Sequence, residues 1–144
     1  MPKQLIPKNS QRNMRNACDS DKIAPGVLTG SSRGKKGEDR AVQALEQAGM
    51  QIIARNFRSF AGEVDIIALD KDTVVFVEVK TWSVYGIENL SYSINSRKQR
   101  RIIETAKYFL SVNRKYNGKA IRFDVIFVEK EAVTHLASAF MERV

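Results

Sequence analysis

The chain of 144 residues is 43% hydrophobic and 28% charged, which fits one globular domain, and no apolar run reaches the roughly 18 residues that span a bilayer. The only cysteine, Cys18, and the only histidine, His135, exclude an internal disulfide and metal sites built from several such residues, so any catalysis must use carboxylates and lysine. The formal net charge of +8 predicts an anionic partner, most simply nucleic acid, and the lack of a signal peptide predicts a cytoplasmic location.

The first 33 residues contain all three prolines and show no helical or strand periodicity, which predicts a basic flexible tail ahead of a domain at 34–144. The tail either grips phosphates without sequence preference or is an inert extension. Residues 1–36 carry a net charge of +6, whereas residues 37–94 carry −4. An acidic centre between basic segments fits a metal-dependent nuclease, and a generally charged surface is the simpler alternative.

A helix is predicted from Gly37 to Ala48, because its apolar residues recur on one face. Glu38 falls on that inward stripe at the predicted helix N-terminus, where the helix dipole favours a carboxylate with or without a function. Gln51–Ser59 follows as a predicted strand. Its polar residues, Arg55, Asn56 and Arg58, fit an exposed sheet edge.

Two further strands, 62–70 and 73–80, are rich in β-branched residues and flank the polar dipeptide Lys71-Asp72, which predicts a β-hairpin. If that dipeptide forms the turn, Asp65 faces Glu78 and Glu63 faces Lys80. A loop of odd length would instead move Glu78 to the other face of the sheet.

Opposed carboxylates destabilise a sheet, and a bound cation would compensate for their repulsion. Mg²⁺ binds one or two carboxylates together with water and phosphate oxygens. Asp65 and Glu78 are therefore candidate Mg²⁺ or Mn²⁺ ligands, and Lys80 is a candidate for orienting a metal-bound water. The alternative is a pair of acidic strand ends that are merely solvated.

Residues 81–95 are predicted to be irregular, with Trp82, Tyr85 and Tyr92 either stacking on bases or packing. Residues 96–112 are predicted to form a helix with an apolar stripe that includes Ile102 and Phe109. Residues 95–115 carry a net charge of +6, which favours phosphate contacts over a solvated surface. The predicted nucleic-acid-binding residues of this helix are Arg97, Lys98, Gln99, Arg100, Arg101 and Lys107.

The remaining elements are a buried strand at 120–128, a short edge strand at 133–136 and a final helical turn at 137–142. Asp124 lies inside the buried strand and needs a partner, so a salt bridge to Arg122 or another basic residue is favoured over catalysis. His135 is expected at the surface or at the edge.

The segments Gly62–Asp65 and Phe76–Lys80 resemble the Asp…Glu-X-Lys core of the PD-(D/E)XK nuclease superfamily. More narrowly, the chain is similar to the YraN-type family of small bacterial proteins over about residues 34–141. The similarity continues through Gly37-Glu38-Asp39, Arg55-Asn56, Lys98-Gln99, Ala106–Leu110, Arg122–Val125 and Ala139-Phe140.

The resemblance implies an α/β fold of the restriction-endonuclease type, with a mixed central sheet flanked by helices. It favours Glu38 as a third acidic group and places Lys98 and Gln99 nearest the site. The resulting prediction is Mg²⁺- or Mn²⁺-dependent cleavage of DNA, with RNA as another possible substrate, by a monomer or homodimer. In this scheme Asp65, Glu78 and the Val79 carbonyl bind the metal.

Two rival predictions retain the restriction-endonuclease-like fold but no catalytic activity. One is a nucleic-acid-binding or scaffold protein that does not use the site, and the other is a protein-interaction module that acts through its basic tail. The intact set of Asp65, Glu78 and Lys80 favours the enzyme over both.

Overall fold

The computed structural model describes residues 32–81 and 94–142, which form a five-stranded mixed β-sheet with one long helix on each face. The elements are α1 (Ser32–Gln47), β1 (Gln51–Ser59), β2 (Gly62–Asp70), β3 (Thr73–Thr81), α2 (Ser96–Val112), a 3₁₀ turn (Arg114–Tyr116), β4 (Ala120–Val128) and β5 (Val133–Phe140). The strands lie in the order β1-β2-β3-β4-β5, and only β3 and β4 are parallel. This confirms the predicted α/β fold of the restriction-endonuclease type.

Three regions named in the predictions lie outside the described residues. They are the N-terminal segment up to residue 31, residues 82–93 with Trp82, Tyr85 and Tyr92, and the last two residues. In the part of the chain that is described, neither helix has the length and apolar composition needed to cross a membrane.

The central hairpin has the predicted register. Its paired residues run from Asp70 opposite Thr73 to Ile66 opposite Val77, which leaves Lys71 and Asp72 as the two turn residues. Lys71 has φ +54°, the left-handed conformation that a two-residue hairpin turn requires and that usually selects glycine or asparagine. The turn therefore excludes the alternative of an odd-length loop.

Two apolar layers cover the sheet, because successive side chains of a strand point to opposite faces. On β3, Val75 and Val77 pack in the layer beneath α1, whereas Val74 and Phe76 pack in the layer beneath α2. All four side chains are fully buried. Burying such side chains stabilises the fold by about 1.5–3 kcal/mol each, which fixes β3 as the central strand.

Helix α1 begins at Ser32, five residues before the predicted start, so Glu38 lies in its second turn and not at its N-terminus. The helix ends at Gln47, and Gly49 follows in the left-handed conformation with φ +88°. Gly37 lies directly against the end of β3, where an added Cβ would clash with Thr81 Oγ1. This close approach brings the helical turn that carries Glu38 to the C-terminal end of β3.

The prediction for the C-terminal region was wrong in two respects. Residues 133–140 form one strand, β5, paired with β4, and there is no helical turn at 137–142. The start of β4 is not buried, since Ile121 is 47% exposed; burial is continuous only from Phe123 to Val128. A short apolar segment without periodicity does not distinguish strand from helix, and pairing with β4 decides the outcome here.

Candidate active site

The two central strands separate at the predicted acidic pair. Their backbone pairing ends at Ile66 and Val77, and at the next position Asp65 Oδ2 accepts a hydrogen bond of 2.8 Å from the backbone N–H of Val79. The Asp65 side chain thus takes the place of a backbone partner for β3. The predicted pairing of Glu63 with Lys80 was wrong, because Glu63 pairs with Arg58 on β1 at 2.8 Å.

The Asp65 and Glu78 carboxyl groups meet in one cleft on the face of the sheet that α2 covers, where they are close enough to interact. Burial raises the pKa of Asp65 to about 8, with a further increase from the negative charge of Glu78. The side chain of Glu78 is only 5% exposed. The pair therefore holds a proton at neutral pH when no cation compensates its charge.

Two lysines approach this pair from different elements. Lys98 Nζ of α2 lies 2.6 Å from Glu78 Oε1, and Lys80 Nζ of β3 lies 3.4 Å from the same oxygen. Burial alone would lower the pKa of Lys98, but its hydrogen bond to Glu78 and the nearby negative charges hold that pKa above the usual value. Lys98 consequently remains charged and neutralises Glu78.

Glu38 reaches the same region from α1 and has partners on β1. Asn56 Nδ2 donates a hydrogen bond of 3.0 Å to Glu38 Oε2, and Arg55 lies 3.7 Å from that oxygen. Arg55 also forms a 2.6 Å bond with Asp39, and Asn56 has φ +50°, a conformation that asparagine tolerates better than most residues. Arg55 and Asn56 therefore hold the acidic residues of α1, and Arg58 pairs with Glu63 of β2, so these polar residues do not form a merely solvated edge.

An open cleft of about 680 Å³ contains the acidic pair. Its walls come from the turn between β1 and β2 and from one side of α2. Its polar and charged lining includes Arg58, Glu63, Asp65, Glu78, Lys98 and Arg101. The sequence patterns missed Phe60, which also lines this cleft and is 93% exposed. The signal was available, since a lone phenylalanine stands in a short hairpin turn where polar residues are usual.

The predicted nucleic-acid-binding residues of α2 divide between different surfaces. Lys98 and Arg101 line the cleft, whereas Gln99 and Arg100 line a separate depression beside Met141. The Gln99 side chain donates a hydrogen bond of 3.0 Å to the Ile94 carbonyl, so the structure does not bring it to the acidic pair. Arg97 is exposed, and Lys107 pairs with Glu142 at 2.5 Å outside the cleft.

The donor set is suited to a cation with few protein ligands. Within residues 32–81 and 94–142, no three His, Cys, Asp or Glu side chains are grouped so that they could hold a metal ion. Two carboxylates remain, and hard divalent cations accept such a pair when water and phosphate oxygens fill the other positions. Asp65 and Glu78 in the open cleft are such a pair, so Mg²⁺ or Mn²⁺ fits the carboxylates present.

Asp124 belongs to a second buried cluster and not to the cleft. Arg122 makes two bonds of 2.9 Å to its carboxylate, His135 Nε2 lies 2.7 Å from Oδ2, and the Ser138 N–H donates to Oδ1 at 3.0 Å. This confirms the predicted salt bridge to Arg122. His135 is at a sheet edge as expected, but its side chain is partly buried against Asp124.

Comparison with known proteins places similar sequences in one family. UPF0102 proteins of Persephonella marina and Treponema denticola are 44% and 45% identical to this chain over 108 and 123 residues. These alignments cover 75% and 76% of this chain and 92% and 95% of the relatives. A UPF0102 protein of Treponema pallidum is 43% identical, over 77% of this chain and 94% of its own length.

The matched family is described as Uncharacterised protein family UPF0102, and the match spans residues 37–128. That span starts at the close approach of Gly37 to β3 and ends with β4. It includes Glu38, Asp65, Glu78, Lys80 and Lys98, which are the charged residues that the fold brings towards one another. The chain belongs to the UPF0102 family.

Proposed function

We propose that the protein is a nuclease that hydrolyses phosphodiester bonds in DNA with Mg²⁺ or Mn²⁺, with branched or otherwise distorted DNA as the expected substrate. The observation that carries this proposal is the meeting of Asp65 and Glu78 with Lys98 in an open cleft, with Lys80 Nζ 3.4 Å from Glu78 Oε1. Two acidic and two basic side chains together suit a reaction in which a phosphate must be bound and a water activated.

Each residue has a distinct proposed role. Asp65 and Glu78 hold the cation, and the Val79 N–H fixes the Asp65 carboxylate at 2.8 Å while the Val79 carbonyl is the proposed further ligand. The cation, when bound, supplies stabilisation of charge on the phosphate and a lower pKa for a bound water. Lys80 orients the attacking water, and Lys98 offers its ammonium group to the phosphate.

Glu38 of α1 is proposed to add negative charge beside Asp65 and Glu78, which remain the two carboxylate ligands of the cation. Its negative charge contributes to the raised pKa of Asp65, so the two carboxylates are close enough to interact. The side chain is 16% exposed and is held by Asn56. A fixed third carboxylate next to the pair increases the attraction for a divalent cation.

We expect the wild-type protein to cleave fluorescently labelled branched DNA with Mg²⁺ or Mn²⁺ and not in EDTA. Glu78→Gln should lower the rate by about a thousandfold or more, because it removes an anionic ligand while conserving shape. Glu63→Gln is the matched control, since Glu63 lines the same cleft but pairs with Arg58. Equal activity of the Glu78→Gln variant and wild type would contradict the catalytic assignment. The same cleavage assay with RNA of matching structure shows whether the substrate is DNA or RNA.

The division of basic residues along α2 gives a second expectation, which concerns DNA binding in EDTA. Arg101→Gln should make the slope of log K against log salt shallower by about 0.7 on single-stranded DNA and about 0.9 on duplex DNA, the values for one lost phosphate contact. Arg100→Gln should change it less, because Arg100 lies in the separate depression. If both variants alter the slope equally, DNA contacts α2 outside the cleft.

A non-catalytic nucleic-acid-binding or scaffold protein is the second candidate function. The observation that favours it is the 2.6 Å contact of Lys98 Nζ with Glu78 Oε1, because the lysine neutralises this carboxylate without a metal ion. This candidate retains DNA binding by Arg101 and Lys98 and predicts no cleavage of any substrate. Isothermal titration calorimetry with Mn²⁺ distinguishes the two candidates. The nuclease must bind Mn²⁺ in the wild type and lose that binding in the Glu78→Gln variant, whereas the binding protein does not need Mn²⁺.

A further inference from the structure

Phe60 has an unusual position for a large apolar side chain. It occupies the turn between β1 and β2, leaves 93% of its surface exposed, and lines the cleft that contains Asp65 and Glu78. An exposed apolar residue on its own needs no explanation, but one at the wall of a charged cleft is placed to contact whatever enters.

The turn that carries Phe60 is fixed to α2. Ser59 Oγ accepts a hydrogen bond of 3.0 Å from the Ala61 N–H and lies 3.2 Å from Thr105 Oγ1. Gly62 packs so closely on the helix that an added Cβ would be 3.2 Å from the Cβ of Arg101. The turn that carries the Phe60 ring is therefore anchored on α2, which lowers the entropic cost of binding a partner.

A chain of aromatic rings connects Phe60 to the core. Its ring centroid lies 6.1 Å from that of Tyr108 in an edge-to-face arrangement, and Tyr108 stacks on Phe57 at 6.1 Å. Phe57 is buried against Phe109, whereas Tyr108 is still 39% exposed. Tyr108 thus supports Phe60 from α2, and most of the Phe60 ring remains open to solvent.

Basic residues lie in the same cleft. Lys98 and Arg101 line it together with Phe60, and Arg101 also flanks the turn at Gly62. Basic side chains beside an exposed ring can bind single-stranded nucleic acid, because the phosphates contact the basic groups and a base stacks on the ring. Bases inside an uninterrupted duplex have both faces occupied and offer no surface to such a ring.

We propose that Phe60, supported by Tyr108, stacks on an unpaired base of a strand whose backbone runs past Arg101 towards Asp65 and Glu78. The inference rests on the proposed nuclease function and specifies its substrate. The substrate contains unpaired nucleotides beside the phosphate that is cut, as in a flap or a splayed arm, and uninterrupted duplex is a poor ligand for this site.

Helix α2 sets the distance between the Phe60 ring, which Tyr108 supports, and the acidic pair, which Lys98 contacts. Tyr108 lies ten residues after Lys98 on α2, which corresponds to about 15 Å along the helix axis. At about 3.4 Å per nucleotide this distance spans roughly four nucleotides, and fewer in a stretched strand. The stacked base should therefore lie about two to four nucleotides from the phosphate at the acidic pair.

The test is equilibrium binding in EDTA, where no cleavage occurs. The probes are a single-stranded oligonucleotide, a splayed-arm substrate and a blunt duplex, with 2-aminopurine at successive positions to report stacking by loss of fluorescence. Phe60→Ala should weaken binding to the single strand and the splayed arm by about five- to a hundredfold and leave duplex binding within about twofold. Phe60→Trp should restore both the affinity and the quenching.

Met141→Ala is the matched control, since Met141 is 71% exposed and lines the depression beside Arg100 outside the cleft. It should bind all three probes like wild type. Unchanged single-strand affinity for Phe60→Ala, or an equal loss on the duplex, would overturn the stacking site. Because Phe60 is almost fully exposed, a circular dichroism spectrum equal to wild type is expected and excludes misfolding as the cause.

Cleavage assays separate this inference from the function on which it rests. If Phe60→Ala loses single-strand affinity but wild type cuts no substrate with Mn²⁺, the nuclease assignment fails and the stacking site is supported. If wild type cuts and Phe60→Ala binds and cuts splayed arms equally well, the stacking site fails and the nuclease assignment is supported.

Discussion

Replacing Asp65 with asparagine is expected to stabilise the metal-free protein and to abolish cleavage in the same variant. The carbonyl of the introduced side-chain amide can still accept the hydrogen bond from the Val79 N–H, and its NH₂ group can donate to Glu78. The repulsion that arises within the pair once Asp65 loses its proton at high pH disappears, but so does an anionic ligand for the cation. Cleavage should fall by about a thousandfold or more, which corresponds to several kcal/mol of lost transition-state stabilisation.

The stability difference should depend on pH. The pKa of Asp65 is about 8 in the folded protein against an ordinary 3.8, so between these values the folded state holds a proton that the unfolded state has lost. Wild-type stability without metal therefore falls as pH rises through this window, whereas Asp65→Asn lacks this titration. The pKa of Lys98 lies above 10.5, so its charge is retained up to about pH 9.

Urea unfolding in EDTA at about pH 5, 7 and 9 measures this effect. The variant should exceed wild type by about 1–3 kcal/mol at the highest pH, with a smaller difference at the lowest, since one unit of pKa shift corresponds to about 1.4 kcal/mol. Asp72→Asn is the matched control, because Asp72 is 98% exposed and should show neither effect. A variant less stable than wild type at the highest pH would contradict the proposed repulsion.

Removing the Asp124 carboxylate should have the largest effect on folding. Asp124 is fully buried and binds Arg122, His135 and the Ser138 N–H at once. Asp124→Ala leaves these donors without their common acceptor, and Arg122 retains its 3.0 Å bond to Asp70. We expect a loss of about 3–5 kcal/mol in the free energy of unfolding, the usual result of breaking a buried ion pair by removing one partner.

The acid dependence of wild type provides a check on this expectation. Burial alone would raise the pKa of Asp124, but the hydrogen bonds from His135, Arg122 and the Ser138 amide hold it below 3.8. Its stabilising contribution is therefore complete at neutral pH and is lost only as pH falls below about 4. Thermal unfolding should show the full deficit of Asp124→Ala at neutral pH and a reduced deficit in strong acid. A variant as stable as wild type at neutral pH would show that the cluster is not needed for folding.

Local patterns in the sequence determined the hairpin and the charged residues that it presents. Two segments rich in β-branched residues with Lys71-Asp72 as a two-residue turn between them predicted which residues of β2 face which residues of β3. This register followed without knowledge of any distant contact, because it depends on a two-residue turn and on strand periodicity. The same patterns placed Ile102 and Phe109 of α2 in the core.

Contacts between distant segments decided the rest. Periodicity cannot tell which side of α2 faces the acidic pair, so only the packing of α2 separates Lys98, which binds Glu78, from Gln99, which binds Ile94. Pairing with β4 makes 133–140 a strand, and the separation of β2 from β3 lets Asp65 bond to Val79. Phe60 gains its place at the cleft because its turn packs on α2. The sequence by itself determined the local register and the charged residues, whereas the tertiary structure decided which of them meet, because those contacts join segments far apart in the chain.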